Sequence, residues 1–163
     1  MTVTPEDTQV HRQLAADLFN RVWALLEQTE RTTPENDTML HAAHASRFHW
    51  GEVGEPVNLV RGEWQISRVY AVLNRPEPAL WHARRCLELC QQHSIGDFDL
   101  AFAYEAMARA YATAGQYDTA ASYLQLARQA GRQIAEQDDR DVFLADLATV
   151  PLSAPGPEAG AQA

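Results

Sequence analysis

Apolar residues recur along the chain at spacings of three and four, the period of one helix face, and the recurrence breaks and restarts at short intervals. Val10, Leu14, Leu18, Val22, Leu25 and Leu26 form the first such stripe. Thr4-Pro5-Glu6-Asp7 precedes it with a capping hydroxyl, a proline suited to the first turn, and acids that complement a helix N-terminus. The pattern predicts a helix from Pro5 to about Gln28. Thr33-Pro34-Glu35 repeats the start signal, and Met39 to Trp50 reads as a second helix ending near Gly51 and Gly54. Glu55-Pro56 opens a third, carrying Val60, Trp64, Ile66, Val69, Tyr70 and Leu73, and Asn74-Arg75-Pro76 closes it.

The same punctuation continues to the C-terminus. A fourth helix starts within Pro76-Glu77-Pro78 and stops at His93-Ser94-Ile95-Gly96. Asp97 or Asp99 is positioned to cap a fifth through Ala114, closed by Gly115, and Tyr117 to about Ile134 makes the sixth. Asp138-Asp139-Arg140-Asp141 begins a seventh, with Val142, Phe143, Leu144 and Leu147 on its apolar side and Pro151 beyond its end. Residues 151–163 are rich in Pro, Gly and Ala without periodicity and are predicted to be a disordered tail. No stretch alternates apolar and polar residues as a strand does, so the expected fold is all-α, one domain over 1–150. Antiparallel hairpins stacked side by side are the arrangement these short connections imply.

An offset of 41 residues superposes helices three and four on helices five and six: Ile66 falls on Met107, Arg68 on Arg109, Tyr70 on Tyr111, Ala71 on Ala112, Ala79 on Ala120 and Cys86 on Ala127. Aromatic residues late in the first helix fill space between helices, and small ones in the second let backbones approach. In the second copy, Tyr104, Met107-Ala108, Tyr111, Gly115, Tyr117, Ala120, Leu124 and Ala127 stand at the signature spacing of the tetratricopeptide repeat, and the segment over residues 56–136 resembles that family. The first copy departs from it, with Asn74 at the turn glycine, Pro76 at the turn aromatic and Ala83 at a larger apolar position. Repeats at 56–96 and 97–136 with a capping helix at 138–149 would make a short superhelix, because an open end of stacked hairpins leaves apolar surface exposed.

Composition narrows the partners. The net charge of −9 repels a phosphate backbone, which argues against nucleic acid. No apolar run approaches the ~20 residues of a membrane span, and residues 1–7 carry neither a basic region nor an apolar stretch, so a soluble cytoplasmic protein is expected. Cys86 and Cys90 are too few for a disulfide framework and lie one helical turn apart, where a bridge would strain the helix; they read as reduced thiols. All 13 basic residues are arginine, the side chain suited to bidentate carboxylate recognition.

The resemblance implies a concave groove lined by the first helix of each repeat, presenting Arg61, Trp64 and Arg68 from one repeat and Phe102, Glu105 and Arg109 from the next. Two arginines beside a tryptophan suit an acidic or C-terminal carboxylate ligand. The competing reading pairs Arg68 and Arg109 with Glu63 or Glu105 and places Trp64 in the core. The lysine and asparagine clamp of the family's chaperone-binding members is absent.

Two other clusters compete for attention. His44, Arg47 and Trp50, in a stretch with His41 and His49, offer a ligand site if another helix supplies the remaining groups; a packed helix with histidines on its polar side is the plainer account. His82, Cys86, Cys90 and His93 share a stripe at spacings of four, four and three, a weak zinc pattern, since structural zinc sites draw on loops and Cys86 matches a packing position. Asp97 and Asp99 fit helix capping better than a catalytic pair. No Gly-rich phosphate loop, nucleophile turn or metalloprotease helix motif is legible, and no cofactor is expected. The leading expectation is a non-catalytic protein- or peptide-binding module. A small-ligand or metal-binding protein and a homo-oligomer completing the short superhelix are the alternatives.

Overall fold

A computed structural model describes residues 4–154. Among them are seven helices and no strand: α1 (Pro5–Leu26), α2 (Thr33–Val53), α3 (Pro56–Val72), α4 (Pro76–Gln92), α5 (Asp97–Thr113), α6 (Tyr117–Gly131) and α7 (Gln137–Leu147). The chain is all-α, and none of these helices is long and apolar enough to cross a membrane. Residues 151–154 follow α7 without regular structure, and the rest of the predicted disordered tail lies outside the described residues.

Local chemistry sets the boundaries. Thr4 caps α1 through a reciprocal pair in which the Asp7 amide donates to the Thr4 hydroxyl and the Thr4 amide to the Asp7 carboxylate, both at 3.1 Å. The second start lies one residue earlier than Thr33 suggests. Thr32 is the cap, its amide donating to Glu35 at 2.7 Å, and α2 extends beyond Met39–Trp50 at both ends. Pro5, Pro56 and Pro76 each open a helix where no N–H is missed.

The 41-residue offset reappears in the backbone. Arg75 N–H donates to the Tyr70 carbonyl at 2.8 Å, and Gln116 N–H to the Tyr111 carbonyl at 2.9 Å, the bond that closes a helix around a left-handed residue. That residue is Gly115 (φ 73°) in one turn and Asn74 (φ 55°) in the other. Asparagine tolerates this conformation better than most side chains, so the turn survives loss of the glycine.

α1 pairs with α2, α3 with α4 and α5 with α6, and α3 also touches α5 across the stack. α7 packs on α5 and α6 at the C-terminal end. Alanines 101, 103, 106, 108, 110 and 112 of α5 are all buried, and their small side chains let one helix sit against α3, α4, α6 and α7. One core cluster, containing Met39, Ala43, Ile66 and Val69, joins α1 and α2 to one side of α3; a larger one runs from α3 to Phe143, Leu147 and Val150. α7 is thereby anchored, although a helix of 11 residues is marginal alone.

Candidate functional site

The first helices of the three hairpins, α1, α3 and α5, together with α7, enclose a groove of about 760 Å³. Its floor is aromatic. Trp23 stacks on Trp64 with ring centroids 5.4 Å apart; Trp64 meets the Phe102 ring edge-on at 5.5 Å, and Phe102 meets Phe98 at 4.6 Å. Phe19 extends the floor on α1, and Val142 and Ala145 of α7 form the opposite wall. Trp64 and Phe102 are nearly buried, whereas Trp23 is 38% exposed and available to an incoming group.

Beneath this floor lies an ion network. Glu105 is fully buried, and its carboxylate accepts from Trp64 Nε1 at 3.1 Å and Arg109 Nε at 2.5 Å, with Arg68 Nη2 3.5 Å away. Arg68 also pairs with Asp146 of α7, and its guanidinium carbon sits 5.1 Å from the Trp64 ring centroid. Arg109 Nη2 donates to the Asp146 carbonyl at 3.1 Å and the Thr149 hydroxyl at 2.8 Å. Burial and the neighbouring Glu105 push the Asp146 carboxyl above its ordinary range despite the two arginines. The network joins α3, α5 and α7, and fixes the Trp64 indole in the floor.

At the rim, Arg61 makes a bidentate pair with Asp99, Nε and Nη2 at 2.8 and 3.1 Å from its two oxygens. Asp99 is therefore an ion-pair partner and not the helix cap its position suggests. Asp97 is not the cap either. Gly96 holds that position, and Asp97 has φ 54° and accepts from the Ala135 amide at 3.2 Å, tying the start of α5 to the loop after α6.

Of the six groove residues expected from sequence, Arg61, Trp64 and Phe102 line the cavity, while Arg68, Glu105 and Arg109 form the network beneath it. Arg68 and Arg109 both engage Glu105, one of the two alternatives open in the sequence. Glu63 instead serves Arg47, whose Nε donates to it at 2.9 Å, and His82, whose Nδ1 lies 2.7 Å away. Sequence reasoning missed Phe19, Trp23, Asp139, Val142 and Asp146. Phe19 and Trp23 stand one turn apart beside the apolar stripe of α1, a signal that was there to use.

The remaining candidates separate. His44 shares a 3.0 Å hydrogen bond with the Tyr70 hydroxyl and lies edge-on to His82, the centroids 5.4 Å apart. Trp50 is half-buried beside Gly54, with no hydrogen bond to His44 or Arg47 among the described residues. Cys86 and Cys90 are buried, His82 is turned to Glu63, and His93 is exposed at the end of α4. The four do not converge, and no group of three or more His, Cys, Asp or Glu side chains suited to a metal occurs among the described residues. Comparison with family models, curated proteins and solved structures gives no match to this chain.

Proposed function

We propose that the chain is a non-catalytic binding module of tetratricopeptide-like architecture, acting in the cytoplasm, whose groove receives a peptide or helix of a partner protein. The observation that carries this reading is the aromatic groove itself. It is open, walled by four helices and floored by Trp23, Trp64, Phe98 and Phe102. An amphipathic segment laying its apolar side chains into such a groove gains burial against rigid rings that lose little entropy on binding. Glu63, Arg47 and His82 are consumed by one another, which leaves the histidine-rich face of α2 a structural role.

The test is selection from a displayed library of amphipathic peptides, followed by measurement on Trp23→Ala and Val142→Asp, at positions 38% and 58% exposed, with circular dichroism and thermal melting used to accept only variants that keep the fold. Selected sequences are expected to carry apolar residues at helical spacing and to lose about tenfold or more in affinity with either variant, the scale of an aromatic anchor in an interface. Binding unaffected by both variants would place the partner elsewhere and refute the reading.

A further inference from the structure

The arginines that suggest an acidic ligand are already engaged. Arg61 is held bidentately by Asp99, and Arg68 and Arg109 are shared between Glu105 and Asp146. An incoming carboxylate would meet Arg61 with its charge already set against Asp99 and, at longer range, against Asp139, so the rim there carries one more negative group than positive. Within and beneath the groove stand three arginines and four carboxylates: Asp99, Glu105, Asp139 and Asp146. The fourth carboxylate is Asp139, whose charge acts on Arg61 without a direct ion pair. It is exposed on the first turn of α7, facing the groove across from Arg61, with neither an ion pair nor a side-chain hydrogen bond among the described residues. Asp138 and Asp141 flank it in sequence, and the neighbouring Arg140 turns away to the carbonyls of Ile134 and Ala135. Among the described lining residues Arg61 is the one cation, and its charge is set against two carboxylates, Asp99 and Asp139.

We propose that the groove's occupant is a basic amphipathic segment of a partner protein, its apolar residues seated on Trp23 and Phe98 and an arginine or lysine set against Asp139. The inference rests on the reading of the groove as a peptide site and adds the sign of the partner's charge. The chain's net charge of −9 works in the same direction at long range, steering a cationic segment toward the site.

The experiment uses the full chain and helical peptides that share one Leu/Phe face and differ only in their polar positions, arginine, glutamine or glutamate. Affinities are read by fluorescence anisotropy on the parent, Trp23→Ala, Asp139→Asn, Asp139→Lys and a control, Asp118→Asn, which makes the same charge change on an exposed position of α6 outside the groove. The basic peptide is expected to bind tightest and the acidic one weakest. Asp139→Asn should weaken the basic peptide about three- to fivefold, as expected for one rim ion pair, with the glutamine peptide unchanged. Asp139→Lys should go further, and Asp118→Asn should have little effect. Salt at about 1 M, where the Debye length is ~3 Å, should erase the preference. Binding that depends on Trp23 but is equal for all peptides, or favours the acidic one, overturns the charge assignment and leaves the groove reading standing. A basic preference equally sensitive to Asp118 and Asp139 overturns the role of Asp139. If no peptide binds in a Trp23-dependent way, both readings fall.

Discussion

Replacing Glu105 with glutamine tests the connection between the fold and the groove. The side chain is fully buried and faces three donors, the indole of Trp64 and the guanidinium groups of Arg68 and Arg109, whose side chains are 13% and 12% exposed. Glutamine keeps the volume and can still accept from Trp64, so neither a cavity nor a lost indole bond enters the balance. What disappears is the negative charge that two nearly buried guanidinium groups face, leaving them Asp146 alone. Breaking a buried ion pair from one side costs about 3–5 kcal/mol, because the stranded charge cannot rehydrate. The retained Trp64 bond and the remaining Asp146 place Glu105→Gln near the lower end, about 3 kcal/mol. For a chain of this length that corresponds to roughly 6–12 °C in melting temperature. Urea denaturation followed by tryptophan fluorescence measures it, and a companion variant sharpens the test: Arg68→Met in the Glu105→Gln background should recover part of the loss by removing one stranded charge. A Glu105→Gln loss under about 1 kcal/mol would refute the argument, since it would mean the arginines are effectively solvated.

Four further outcomes follow from the packing. A methyl group at Gly131 would lie 2.4 Å from the buried Phe143 ring, so Gly131→Ala should cost about 1–3 kcal/mol and loosen α7, whereas Gly62→Ala meets only the flexible methylenes of Arg47 at 2.6 Å and should cost less; chemical denaturation ranks the two. Burial and the nearby His82 hold the His44 imidazole below its ordinary value of 6.5; the unfolded chain therefore takes up that proton first, stability falls as pH drops through 6.5, and His44→Gln should flatten that part of the profile in denaturation midpoints. Burial alone would raise the Glu63 carboxyl, but the hydrogen bond from His82 and the charge of Arg47 outweigh it and hold it below 4.5, so its contribution is present above that pH and lost as pH falls below it; Glu63→Gln should remove that second decline. Cys86 and Cys90 are essentially inaccessible, so both should react with a disulfide reagent only at the rate of unfolding; fast labelling in the native state would contradict the packing.

Helix punctuation was legible because it is local chemistry. A threonine before proline and acid, or glycine after a helical run, acts through its own turn, and the ends of α3 and α5 show the same closing bond 41 residues apart even where Asn74 replaces glycine. Where the outcome depended on distant residues, the sequence was ambiguous. Asp99 had a capping position available to it, but Arg61 lies across the α3–α5 contact, and the two charge-assisted bonds it gives exceed what a solvent-facing cap supplies. Similarly, Arg109 and Glu105 are one turn apart on a single helix and their pairing could be anticipated, but the choice of Glu105 over Glu63 by Arg68 is decided by which helix faces which. The contribution of α7 to the groove was invisible for the same reason. Val142 reads with Phe143, Leu144 and Leu147 as one apolar side of a capping helix, but only Phe143 and Leu147 enter the core, and Val142 is left to line the groove beside Asp146.

This dependence on pairing is why the groove's arginines read differently along the chain and in space. Read along the chain, Arg61, Arg68 and Arg109 mark one side of two successive first helices and suggest an anion site. In space, Arg61 meets Asp99 of α5, Arg68 meets Glu105 and Asp146, and Arg109 meets Glu105 of its own helix and the Asp146 carbonyl, so the arginines hold the scaffold together. A fixed ion pair presents a small field to an approaching ligand, whereas a lone carboxylate at a rim retains its own. On the proposed peptide-binding reading, selectivity would therefore rest on the few groups that make no direct ion pair once the scaffold's charges are matched. In this groove that reading points to the exposed part of Trp23 and the carboxylate of Asp139. Both sit on the outer helices, α1 and α7, so α7 forms a wall of the groove as well as the end of the stack. A change that loosens α7, such as Gly131→Ala against the Phe143 ring, shifts that wall and Asp139 together.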